Sequence, residues 1–112
     1  MKVVLLLLVP LALAGCERKV AGGKVDGAAV FSEACSRCHG DKGVPPAALK
    51  AQMGAKDLTD PALQDRLKDA DIAHQVRHGS ANKMMPAFPT AVIGDAQLTA
   101  LIAHVRGLRR TN

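Results

Sequence analysis

The side chains with the most chemical potential stand within five residues, Cys35-Ser36-Arg37-Cys38-His39. Two thiols three apart, followed at once by an imidazole, form a constellation suited to covalent haem attachment: each sulfur takes one vinyl group of the porphyrin and the imidazole takes the iron. The spacing works on a helical turn, where Cys35 and Cys38 fall at i and i+3 on one face. A Cys-x-x-Cys pair alone says little, since redox dithiols and half zinc sites share it. The adjoining His39 is what points to haem.

An iron held by His39 that shuttles electrons needs a second axial ligand, and methionine is one partner for that role. The chain offers Met84-Met85-Pro86-Ala87-Phe88. Taken with Cys35-Ser36-Arg37-Cys38-His39-Gly40, this stretch resembles the class I cytochromes c, small monohaem electron carriers whose axial Met commonly stands immediately before a Pro. The likeness runs from about Asp26 to Leu108. It implies that Met85 rather than Met84 is the ligand opposite His39, and that Cys35 and Cys38 carry the thioethers of one haem c. It further implies that a Pro carbonyl after Gly40, Pro45 in preference to Pro46, accepts from the other ring nitrogen of His39, a bond that fixes the tautomer and raises ligand basicity.

Rival ligands are present. His74 and His78 stand four apart, a spacing that can bind zinc, but structural zinc usually takes four ligands and no others are near in sequence. Either histidine replacing Met85 would give a bis-His haem of lower potential. Met53 lacks a following Pro and reads as a gap-filling core residue.

These residues need helices to hold them. Asp26 is placed to cap a helix over residues 27–35, on which Phe31 lies four after Gly27 and four before Cys35. By the resemblance, Gly27 and Phe31 pack on the last helix, and His104 stands where the family carries Tyr, Phe or Trp. The Gly- and Pro-rich residues 41–46 read as a loop, followed by a short helix over 47–53. Thr59-Asp60-Pro61 is a strong helix start, with Leu63 and Leu67 on one face. Ile72, Ala73 and Val76 then mark a helix over 70–78 that stops at Gly79. A last helix opens at Gly94-Asp95, and its Leu98, Leu101, Ile102, Val105 and Leu108 form one apolar stripe. No period-two strand and no repeat is visible. The expected fold is all-α, a small cytochrome c fold of four to five short helices wrapped around one covalently attached haem.

Composition agrees. The 112-residue chain has no Trp, no Tyr and two Phe, too few aromatics to fill a core in the ordinary way, so a haem would supply the middle. The formal charge is +5, scattered apart from Arg106, Arg109 and Arg110 and without interleaved aromatics, which sets nucleic acid aside. Those terminal arginines read as favourable charge at a helix C-terminus and a solvated end.

Met1-Lys2 precedes an apolar run, residues 3–14, too short to span a bilayer and of signal-peptide length. Its end, Leu13-Ala14-Gly15-Cys16, resembles the bacterial lipoprotein signal. Residues 1–15 are therefore expected as a leader, Cys16 as the lipidated new N-terminus, 16–25 as a flexible linker and 26–112 as the haem domain. Lipidation also accounts for the odd third cysteine.

The expected function is one-electron transfer in a respiratory or related membrane-associated chain, by a monomeric, exported lipoprotein facing the periplasm or outer surface of a bacterial cell. Its partners would be redox proteins, donor and acceptor complexes, and it would not be an enzyme. The alternatives are a haem subunit of a larger oxidoreductase, or a sensor with a displaceable sixth ligand. A thiol-disulfide enzyme using Cys35 and Cys38 would need a βαβ setting that the sequence lacks.

Overall fold

Six α-helices and no strand organise residues 18–111, the part of the chain described by a computed structural model. The expected leader and Cys16 lie outside the described residues. Helix α1 (Gly27–Ala34) begins where the Asp26 carboxylate accepts from the Ala29 N–H at 3.1 Å. Cys35, with φ −120° and ψ −36°, breaks it from the single turn α2 (Ser36–His39). That corner is one reason the helices outnumber the expected four to five. Helix α3 (Ala47–Met53) follows, then α4 (Pro61–Arg66), where Asp60 accepts from the Ala62 N–H at 3.0 Å and Pro61 fills the first turn. In α5 (Asp69–His78) the Asp71 carboxylate returns to the Lys68 N–H at 2.8 Å. In α6 (Asp95–Gly107) Gln97 does the same for Gly94 at 2.9 Å.

The core forms where α1 meets α6. Val30 and Phe31 are buried together with Leu98, Leu101 and Val105, and Ile93, Val76 and Val20 close the cluster. Each large apolar side chain withdrawn from water this way contributes about 1.5–3 kcal/mol. The two helices are close because Gly27 has no side chain: a Cβ there would stand 2.1 Å from the Ala100 carbonyl oxygen and 2.9 Å from His104 Cβ. The His104 ring lies 5.1 Å from that of Phe31, tilted by 48°, so it packs where the resemblance places an aromatic residue.

Two expectations change. The stretch read as a flexible linker is, from Lys19 onward, fastened to the domain. Val20 is buried, its N–H donates to the Val92 carbonyl at 2.9 Å, and its own carbonyl accepts from Gln97 Nε2 at 2.8 Å. Lys19 Nζ reaches Thr90 O at 3.0 Å, Lys24 O takes the second Gln97 proton at 3.0 Å, and Glu33 accepts from the Ala21 N–H within the turn Val20–Gly23. A charged, Gly-rich composition cannot reveal this, because the bonds are made by main-chain groups to a buried amide 77 residues away.

The terminal arginines, in turn, are more than a solvated end: Arg109 and Arg110 are exposed, yet all three arginines make cross-ties. Arg106 bonds Asp69 at 2.8 Å and the Gln64 and Leu67 carbonyls at 2.8 and 2.6 Å. Arg109 meets Asp65 and Arg110 meets Asp57, each at 3.0 Å. Together they bind the end of the chain to α4 and to the segments on either side of it. No helix among the described residues is long and apolar enough to cross a membrane.

Candidate functional site

Cys35, Cys38 and His39 open onto a cavity of about 850 Å³, within the range of small-molecule and cofactor sites. Its walls are mostly apolar: Phe31 and Ala34 from α1, Leu63 from α4, Ile72 and Val76 from α5, and Leu101 and Val105 from α6. The α1–α2 corner thus turns both thiols and the imidazole toward the same space. Burial, and to a lesser extent the neighbouring Cys38, push the Cys35 thiol up to about 11. A disulfide-exchange cysteine needs the opposite shift, toward the thiolate, so Cys35 is poorly placed to be the attacking thiol of a dithiol enzyme.

His39 Nδ1 lies 3.0 Å from the Lys56 carbonyl oxygen. A carbonyl only accepts, so in this bond Nδ1 carries the proton and Nε2 is the nitrogen available to a metal. This corrects the expectation of Pro45 as the supporting carbonyl. The Gly40 and Gly43 backbones, at φ +77° and +86°, fold residues 40–44 back on the end of α2. There the Val44 carbonyl lies where a Cβ on Gly40 would have to be, and Pro45 is not part of the cavity wall. Pro46 is likewise absent from the cavity wall, and its carbonyl accepts from the Lys50 N–H at the start of α3. The Leu58 N–H bonds Gly43 O at 2.8 Å, which brings the 56–58 stretch beside the loop that follows α2.

The loop from Ser80 to Phe88 delivers methionine. Ser80 and Met85 hold each other, N–H to carbonyl at 3.0 Å and Met85 N–H to Ser80 Oγ at 2.9 Å. Asn82 accepts from the Met84 N–H and from the Ser80 hydroxyl, at 3.0 and 2.6 Å. Gly79 turns the chain at φ +73°, where any Cβ would come within 2.5 Å of the Met85 carbonyl oxygen. Both methionines border the cavity, but Met85 packs against the core whereas Met84 is 48% exposed.

Arg77 is the clamp of this loop, and nothing in the sequence marks it. Its side chain is only 17% exposed; Nη1 donates to Phe88 O and Ile93 O at 3.0 and 2.6 Å, and Nη2 pairs with Asp95 at 2.7 Å. Arg77→Met keeps the aliphatic packing but removes the donor to two carbonyls, while the Asp95 carboxylate, 86% exposed, returns to water. It is expected to lower the unfolding free energy by about 2–3 kcal/mol, as read by denaturant titration. An unchanged midpoint would show that water replaces the guanidinium at no cost.

The other histidines are placed as follows. The His74 and His78 rings stack at 4.2 Å with an interplanar angle of 20°, and both residues are exposed. No group of three or more metal-binding side chains forms among the described residues, so nothing here completes a zinc site. His74 borders the cavity and His78 does not. Two further polar residues border the cavity: Gln64, overlooked in the sequence, whose amide donates to Leu58 O and Val105 O at 2.7 and 2.8 Å, and Arg106, read there only as charge at a helix end.

A haem would suit this donor set. Two thiols face the cavity with an imidazole whose Nδ1 is already committed, a thioether enters from a different wall, and the lining between them is apolar. Lys56, Arg66 and Arg106 bring positive charge to the cavity, complementary to the carboxylates that a haem carries.

Comparison with known proteins gives the same picture. The family model described as cytochrome C oxidase, cbb3-type, subunit III matches residues 24–105. Among solved structures, the chain is similar to the KustC0563 c-type cytochrome, with 28% identity and a TM-score of 0.67 over 76% of this chain and 99% of that one. A point mutant of Kustc0563 gives 30% identity and a TM-score of 0.64 over 75% and 99% of the two chains. A search of curated proteins gives no significant match.

Proposed function

The chain belongs to the family described as cytochrome c oxidase, cbb3-type, subunit III, and is thus a class I c-type cytochrome with one covalent haem c; from that premise we propose that it is a one-electron carrier ligated by His39 and Met85. The observation that carries this reading is an apolar cavity bordered at once by Cys35, Cys38 and His39 and, from the loop after α5, by Met85. The haem, when bound, supplies a ferric–ferrous couple. The protein does the rest. Cys35 and Cys38 prevent loss of the group, and His39 presents Nε2 because Lys56 holds Nδ1. The Ser80–Met85 bonds and Arg77 hold the thioether side, and the apolar walls exclude water so that little has to reorganise. A thioether opposite imidazole raises the potential relative to two imidazoles.

We further read Cys16 as lipidated after removal of residues 1–15. Because Lys19 and Val20 are already fastened to the domain, the tether from Cys16 to Lys19 spans at most about 10 Å, so the carrier would ride against its membrane. Several acyl chains on one residue hold it stably, whereas one does so only marginally. The partners are the donor and acceptor complexes of a membrane-associated chain outside the cytoplasm. The family description favours a second reading, a fixed haem subunit of such a complex, which uses the same site.

Carbon monoxide separates a carrier from a sensor. Ferrous protein with both axial positions filled by the chain is expected to titrate reversibly as a one-electron couple and to bind the gas slowly and incompletely. Fast, saturating uptake would instead show a displaceable sixth ligand and move a sensor ahead.

A further inference from the structure

We propose that Arg110 is a positioning residue for His39, acting through Asp57 and Thr59 on the Lys56 carbonyl. The proposal rests on the haem reading above and adds to it a control point at the far end of the chain.

The stretch between α3 and α4 has no regular structure, yet one of its carbonyls faces the imidazole at 3.0 Å. That carbonyl shares a rigid peptide plane with the Asp57 nitrogen, so whatever fixes Asp57 restricts the direction in which the Lys56 oxygen points. Asp57 is bonded through both carboxylate oxygens. Oδ1 accepts from the Thr59 N–H at 2.9 Å and the Thr59 hydroxyl at 2.6 Å, and Oδ2 accepts from Arg110 Nη1 at 3.0 Å. The same guanidinium nitrogen donates to Thr59 Oγ1 at 2.7 Å, and the Arg110 N–H donates to the Thr59 carbonyl at 2.9 Å. Arg110 therefore closes a ring over the turn from both its side chain and its backbone. Thr59 itself is buried, and Asp57 is 20% exposed at its side chain.

The charges behave accordingly. Burial alone would raise the Asp57 carboxyl, but the Thr59 bonds and the Arg110 guanidinium outweigh it and hold the group below the ordinary aspartate range. The carboxylate is thus ionised and available to the clamp at neutral pH. Arg109 supplies a built-in comparison. It comes from the same end of α6 and meets Asp65 at the same 3.0 Å, but it makes no bond to residues 56–59.

The effect has a sign. A well-held acceptor at Nδ1 makes the imidazole a stronger donor to iron, which favours the ferric state. Loosening it should raise the midpoint potential and let the Nδ1 proton exchange faster.

The experiment uses the haem-matured protein and its Arg110→Gln, Asp57→Asn, Arg110→Lys and Arg109→Gln variants. Exchange of the His39 Nδ1 proton is read by NMR in the ferrous state, alongside the midpoint potential at low and high salt. Arg110→Gln and Asp57→Asn are expected to speed exchange relative to wild type and to raise the potential. Arg110→Lys should recover part of both, and Arg109→Gln should match the wild type. Because Arg110 is 55% exposed, added salt should narrow the gap between Arg110→Gln and wild type. The proposal is overturned if Arg110→Gln changes neither quantity, or if Arg109→Gln changes both equally, which would mean general loosening of the chain end. Absence of covalent haem from the wild-type spectrum would overturn the functional reading itself, an outcome visible before any variant is compared.

Discussion

Gly27→Ala is expected to lower the stability of the folded protein by about 3 kcal/mol, whereas Gly107→Ala is expected to raise it slightly. Both are terminal residues of their helices, where on propensity alone alanine should gain at most roughly 0.5–1 kcal/mol, the interior value. The surroundings decide otherwise at Gly27. Its new methyl group would meet the Ala100 carbonyl oxygen at 2.1 Å and His104 Cβ at 2.9 Å. The first of these is backbone and cannot rotate away, so α1 must move off α6. Separation loosens Phe31 from His104 and weakens the packing of Val30 and Phe31 on the α6 stripe. Against a total of about 5–15 kcal/mol for a domain, that loss is a large fraction. A Cβ at Gly107 meets nothing within 4 Å, so only the propensity gain remains. Denaturant titration of the two variants side by side reads the difference. Equal midpoints would mean that the helices of α1 and α6 do not approach as closely as they do here.

Where the sequence carries a local signal, the structure follows it. Asp26, Asp60-Pro61, Gly79 and Gly94 each stand at the helix end that their capping chemistry predicts, because a cap depends on atoms only a few residues away. The apolar stripe of α6 is legible for a similar reason, since Leu98, Leu101 and Val105 share a face whatever they pack against. Gln97 was half legible. Its place three residues after Gly94 is a capping position, and its Oε1 does cap, but its Nε2 bonds to Val20 and Lys24 depend on how a distant segment lies.

The candidate site divides along the same line. Cys35, Cys38 and His39 stand out in the sequence by side-chain chemistry and spacing, Met85 by the family resemblance, and all four border one cavity. The support of His39 is a main-chain oxygen, which has no identity in a sequence, so the resemblance pointed to Pro45 while the fold presents Lys56. Arg77 and Arg106 are invisible for a different reason. An arginine at the end of a helix normally reads as solvated charge, and only the tertiary path of the 88–93 loop and of α4 shows that these two satisfy buried carbonyls.

Met85→Ala in the haem-matured protein is expected to abolish the weak red-edge band of a sulfur-to-ferric-iron contact. It should also lower the midpoint potential by roughly 0.1–0.2 V, a part of the ~0.8 V over which axial ligands tune haem. Met84→Ala is expected to leave both unchanged. The two residues are adjacent and both border the cavity, so proximity does not choose between them; backbone restraint and burial do. Met85 is tied on both its N–H and its carbonyl to Ser80 and packs on the core, whereas Met84 is tied only through its N–H to Asn82 and stands 48% exposed. A thioether presented from a fixed, partly buried backbone loses less conformational freedom on ligation, which is the argument for proposing Met85 as the ligand. His74 is the group in a position to compete, being the other imidazole on the cavity wall. If it moves in when the thioether is gone, Met85→Ala should give a six-coordinate, low-potential spectrum that reverts to an open sixth position in the Met85→Ala, His74→Ala double variant. If the wild type already lacks the sulfur band and His74→Ala alone opens the iron to carbon monoxide, the ligand is His74, and the loop that Arg77 clamps serves to cover the site instead of completing it.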